Sequence, residues 1–145
     1  MTTPASGPSS EADASPTYYI SFDRVASFGR SAVAVLAARR APMSPSMVQA
    51  DHELDDPQAL VDEIAEFGPQ EEDFIRSDMP IKEIVFRILL AHGNRPTPLQ
   101  EIHEELTGKW STSIRPINVT ESSLARILDQ DNYYGFSRDD PSAAS

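Results

Sequence analysis

The chain has 145 residues, 39% of them hydrophobic, with 12 prolines and no cysteine. That is room for one ordinary domain with tails, and it excludes a disulfide framework and a cysteine-based zinc site. A net charge of −11 repels nucleic acid at long range.

Residues 1–16 hold Ser, Pro, Ala, Thr, Gly and two acids, with no Lys, Arg or apolar core. This is not a signal peptide, and it reads as a disordered tail. Residues 139–145 read as a second tail. The longest apolar run, Ala32 to Ala38, is far too short to span a bilayer. The expectation is a soluble, cytoplasmic protein without a membrane partner. The charge is uneven: residues 1–77 carry 13 Asp/Glu against 5 Lys/Arg, and residues 78–138 carry 8 against 7.

Residues 17–41 read as a short extended segment followed by a helix. Tyr18, Ile20 and Phe22 alternate, and Asp23 then caps a helix over Arg24 to Arg40. Val25, Phe28, Ala32, Val35 and Leu36 share its apolar face, and Ala41-Pro42 stops it. This helix either packs within the chain or serves as a docking or dimerisation helix. Residues 42–77 read as a Pro/Ser linker and an acidic helix. Asp55-Asp56-Pro57 starts that helix, Leu60, Ile64 and Phe67 form a thin stripe, and Gly68-Pro69 ends it.

Residues 78–138 carry the clearest pattern. Asp78 and Pro80 open a helix whose Ile81, Ile84, Val85, Ile88 and Leu89 fall at i, i+3, i+4, i+7 and i+8. Gly93-Asn94 closes it. Thr97 and Gln100 stand at capping-box spacing before a helix burying Leu99, Ile102 and Leu106, and Thr107-Gly108 ends it. A β-branched connection follows over Lys109 to Val119. Thr120 caps a third helix with Leu124, Ile127 and Leu128 inward, and Asp131-Asn132 turns the chain into an aromatic hairpin beginning at Tyr133.

Three short helices followed by a strand resemble a winged helix-turn-helix. Within that class the run His92-Gly93-Asn94-Arg95-Pro96-Thr97-Pro98-Leu99-Gln100-Glu101-Ile102, preceded by Lys82-Glu83-Ile84 and followed by Thr120-Glu121-Ser122-Ser123-Leu124, is similar to the HARE-type helix-turn-helix. That family includes the N-terminal domain of the bacterial RNA polymerase delta subunit. The matching residues are caps and core positions, so the resemblance speaks to fold more than to function. It implies a mainly α fold with a small β wing, carrying an N-terminal helical and acidic extension.

The third helix is then the candidate recognition helix. Its outward residues include Glu121, Ser122, Ser123, Arg126 and Gln130. The serines and Gln130 are candidates for polar base contacts, and Arg126 for bidentate reading of guanine. Phosphate contacts would fall to Lys109, Arg115, Arg138 and Arg95. The bland alternative is that all of these are ordinary solvated residues. Tyr133, Tyr134, Phe136 and Trp110 read as core and loop anchors rather than stacking platforms.

His52, His92 and His103 are dispersed, and His103 beside Glu101 and Glu104 reads as a solvated helix face rather than a metal site. The acidic pairs lack surroundings that would raise a carboxyl pKa, and no phosphate loop or nucleophile elbow is present. The expectation is a non-enzymatic protein without metal or cofactor. Two functions compete: a DNA-binding or transcription-associated regulator, and an acidic adaptor that docks on a basic protein partner, such as a transcription complex, without touching DNA. The charge of the third helix favours the second, but the fold prior places the first ahead, with the adaptor as the alternative.

Overall fold

The computed structural model describes residues 15–139. Apart from Ser15, Pro16 and Asp139, the two expected tails lie outside the described residues.

Strand β1 (Thr17–Ile20) buries Tyr18 and Ile20 on one face, as the alternation requires. The single helix expected over Arg24 to Arg40 is instead two short ones, α1 (Phe22–Ser27) and α2 (Ala32–Ala37). The chain breaks at Gly29, which adopts φ 78°. Two serines drive the break. Ser21 accepts from the Arg24 N–H and Ser31 from the Ala34 N–H, so each caps its own helix, and Asp23 sits in the first turn of α1 rather than at its cap. Val25, Val35 and Leu36 all reach the core. This segment therefore packs within the chain.

Two 3₁₀ turns (Pro45–Val48 and Asp51–Glu53) lead to α3 (Pro57–Phe67). The expected start is observed: the Asp56 carboxylate accepts from the Gln58 and Ala59 N–H groups. α3 turns Leu60, Val61 and Ile64 inward.

Helix α4 (Ile81–Ala91) begins directly after Pro80, which is its N-cap residue; Asp78 pairs with Arg76 instead of capping. The expected stripe is present, but Phe86 and Leu90 are buried as well. α4 is the centre of the molecule, with α3 against it on one side and β1 and α5 on others. Each fully buried aliphatic or aromatic side chain here stabilises the fold by roughly 1.5–3 kcal/mol.

Gly93 and Asn94 both take positive φ, 70° and 61°, and end α4. The expected Thr97 cap is not formed. Thr97 lies buried in strand β2 (Thr97–Pro98), its hydroxyl donating to the Arg95 carbonyl, because pairing with Tyr18 holds it in extended backbone. Pro98 takes the N-cap position of α5 (Leu99–Gly108), which buries Leu99, Ile102 and Leu106. Thr120 does cap α6 (Glu121–Asp129), accepting from the Ser123 N–H, and Leu124 and Leu128 face inward.

The expected aromatic hairpin is corrected. Residues 133–135 form a turn, and the strand that follows, β3 (Phe136–Asp139), pairs with β1 from the other end of the chain. The sheet order is β2-β1-β3, antiparallel throughout. The turn is organised by Asp131, whose side chain is 0% exposed. Its carboxylate accepts from the N–H groups of Tyr133, Tyr134, Gly135 and Phe136, and Lys82 lies 3.5 Å away. The described residues are thus mainly helical with one small antiparallel sheet, and residues 18 to 136 contribute to one hydrophobic cluster.

At Gly135, φ is +87° and an added Cβ would lie 2.5 Å from Val25 Cγ2 and 2.8 Å from the Ser21 carbonyl oxygen. Gly135→Ala is expected to lose about 3 kcal/mol through strain and overpacking. Urea unfolding measures this directly, and an unchanged midpoint would show that the junction of α1 with β3 yields.

Candidate interaction surface

The exposed face of α6 presents Glu121, Ser122 and Arg126, with Ser123 half-buried and Gln130 at the C-terminal cap. Ser122 Oγ lies 3.3 Å from Thr120 Oγ1. Glu121 opens the helix and Asp129 closes it, and no ion pair engages Arg126 among the described residues.

The remaining sequence-predicted residues do not gather around this face. Arg138, on β3, donates to Asp129 Oδ2 at 2.9 Å and approaches the Tyr18 hydroxyl. Arg115 lines a cleft with Met79, Pro80 and Ile114 at the start of α4. Lys109 lies at the end of α5, with its ammonium 5.2 Å above the Trp110 ring. Arg95 reaches Glu101 at 3.5 Å. Only Ser122, Ser123, Arg126 and Gln130 share one element.

Among the described residues, Arg39, Arg76, Lys82, Arg87, Arg95 and Arg138 sit in ion pairs with the chain's own carboxylates. Arg30 lies 4.0 Å above the Tyr133 ring. An arginine committed to a partner at this range is not free to take a phosphate without giving that partner up.

The most enclosed of these pairings centres on Glu83, whose side chain is 12% exposed. Arg39 binds it through both Nε and Nη2, at 3.1 and 2.8 Å. Arg87, one turn along α4, donates at 2.6 Å, and the Tyr134 hydroxyl at 2.9 Å. The Arg39 guanidinium also lies 5.0 Å from the Phe86 ring centre, and Arg87 donates to the Phe74 carbonyl. Burial pushes the Glu83 carboxyl upward, but the hydrogen bonds from Arg39 and Arg87 outweigh it and hold the carboxyl at about 2, against an ordinary 4.5. Burial and the neighbouring Glu83 raise the Tyr134 phenol. Burial and then Asp129 raise Tyr18.

This cluster ties the segment just after α2 to α4 and to the turn before β3. Glu83 itself is enclosed by its donors, while Arg39 and Arg87 also line a cleft of about 270 Å³ with Glu71, Asp73 and Phe74. Only the Glu83–Arg87 spacing was visible as a helical i, i+4 pair. Arg39 and Tyr134 come from elements distant in sequence. The aromatic residues behave as core, with Tyr134 5.0 Å and Phe136 6.4 Å from Phe86. His103 Nε2 lies 2.7 Å from the Val119 carbonyl and His92 contacts Glu105, and no three-residue metal grouping occurs among the described residues.

Comparison with known proteins finds no matching family model, no similar curated protein and no similar solved structure.

Because the Glu83 carboxyl is depressed in the folded chain, its contribution is full above about pH 4.5 and lost as pH falls toward 2. Glu83→Gln strands two half-buried arginines and is less stable at neutral pH. The gap to the unaltered chain should narrow by about 3 kcal/mol between pH 6 and pH 2. Urea unfolding across that range checks it, and a constant gap would remove the Arg39–Glu83–Arg87 cluster as a source of stability.

Proposed function

We propose that this protein is a non-enzymatic, transcription-associated docking module, built on a winged-helix framework, whose partner is a basic protein surface rather than duplex DNA. The framework reading is supported by element order. α4, β2, α5, α6 and β3 follow one another as helix, strand, helix, helix, strand, and β1 supplies from the N-terminal side the strand that completes the sheet. The observation that carries the choice of partner is the commitment of cations. Among the described residues, Arg39, Arg76, Lys82, Arg87, Arg95 and Arg138 are held in internal ion pairs, while α6 begins with Glu121 and ends with Asp129. A phosphate-binding face needs several free cations on one side, because each neutralised phosphate adds affinity through released counterions.

The second reading, duplex binding through α6, is favoured by one feature: a well-capped short helix presenting Ser122, Arg126 and Gln130 outward.

Fluorescence anisotropy of labelled random duplex DNA separates the two. The full chain is the right sample, since β1 is the middle strand of the sheet and the 78–138 stretch alone would lack it. No saturable binding at low salt is expected. Saturable binding that weakens with salt, at a slope of about 0.9 per phosphate contact, and that falls further in Arg126→Ala, would overturn the protein-partner reading in favour of DNA.

A further inference from the structure

Two shallow clefts lie side by side on the face formed by α2, the 3₁₀ turns and the start of α3. The first, of about 270 Å³, has Leu54 and the buried Leu60 in its lining and Glu53, Asp55, Asp56 and Glu63 around them. The second, of about 360 Å³, is walled by Val33, Ala34 and Ala37 of α2. Leu54 lines both and stands half-exposed between them. Among the described residues, neither lining contains a Lys or Arg. The first cleft also has apolar side chains beside it. Met47 and Val48 occupy the same 3₁₀ turn as its Pro45 and Ser46, and Val48 is 91% exposed.

We infer that this face is the docking groove, and that its occupant is a basic amphipathic segment of a partner protein. The segment sets apolar side chains on either side of Leu54 and Lys or Arg against the Glu53–Asp56 rim. This rests on the protein-docking reading above and gives it a place in the fold. Charge complementarity selects the occupant. The groove is apolar along α2 and acidic along the segment that leads into α3, so it matches a helix or strand with one apolar and one cationic edge.

The rim acids differ in availability. Glu63 is engaged by the Ser46 N–H and hydroxyl, Asp56 caps α3, and Glu53 accepts from the Ala50 N–H. Asp55 is exposed and is the natural first contact for an incoming cation. A second copy of this chain is a poor occupant. Each copy carries −11 overall, and Arg39, Arg76, Lys82, Arg87, Arg95 and Arg138 are already paired internally. The charged side chains that line these clefts are all carboxylates, which disfavours a nucleic acid strand here.

The test uses three synthetic labelled peptides of equal length with the same leucine spacing and with Lys, Gln or Glu along one edge. Binding to the full chain is followed by anisotropy and mapped by amide chemical shifts. The lysine peptide should bind and shift amides in residues 31–38 and 45–63, while the Glu peptide should not bind. Asp55→Lys should weaken the lysine peptide about fivefold, the scale of a well-placed exposed charge pair. Glu121→Lys, the same change in net charge on α6, should alter it less than about twofold. Equal effects of the two substitutions, or equal binding of all three peptides, would overturn the groove. Shifts confined to α4–α6 would also overturn it while leaving the protein-docking reading standing. Failure of that reading itself would show as duplex DNA binding.

Discussion

The middle strand of the sheet comes from the N-terminal side of the chain, and the rest of the structure is arranged to hold it there. β1 has β2 on one side and β3 on the other, so two segments separated by α5 and α6 depend on one short strand. Side chains reinforce what a four-residue ladder cannot secure alone. The Asn94 amide, at φ 61° after α4, accepts from the Ile20 N–H at 2.7 Å and donates to the Ile20 carbonyl at 2.9 Å. It therefore imitates one more paired residue at the end of the strand. The Ser21 N–H continues the opposite edge by donating to the Gly135 carbonyl. Tyr18, buried beneath, reaches Asp129 at the end of α6.

Around that strand the two halves are joined by charge as well as by apolar packing. Glu83 links the segment just after α2 to α4 and the aromatic turn through Arg39, Arg87 and Tyr134. Asp131 does the same for the turn and for Lys82 at the start of α4. Both carboxylates are enclosed and both have several donors, which is the condition under which a buried charge is tolerated. The internal use of cations adds to the net charge of −11 in leaving few cations outward.

What could be read from the sequence follows the range of the forces involved. Helix α4 was legible because its periodic Ile and Val residues state their own geometry, and α3 and α6 because Asp56 and Thr120 are local caps. The split between α1 and α2 was in principle local too, with Ser21, Gly29 and Ser31 all in view, but the apolar spacing from Val25 to Leu36 ran through the break and masked it. The misplaced cap at Thr97 and the hairpin that became a turn have a different origin. Both depend on β1 lying alongside, a contact between residues such as Thr17 and Asp139 that no local pattern encodes. The acidic helix within residues 42–77 is readable from its own signals, but the clefts beside it are not, since Leu54 comes to line them only when α2 is folded against it.

The pairing of Thr17 with Asp139 also sets a timetable. During synthesis the helices can collapse onto α4 as they emerge, but the sheet has no third strand until the chain has been made through β3. Until then β1 has an unpaired edge where Phe136 to Asp139 will lie. Contacts of such long sequence separation close slowly, since the entropy of the intervening loop is surrendered before any ladder bond forms. The strand on which the finished fold relies is thus the last to be secured and the part most open to wrong partners while the molecule is being born.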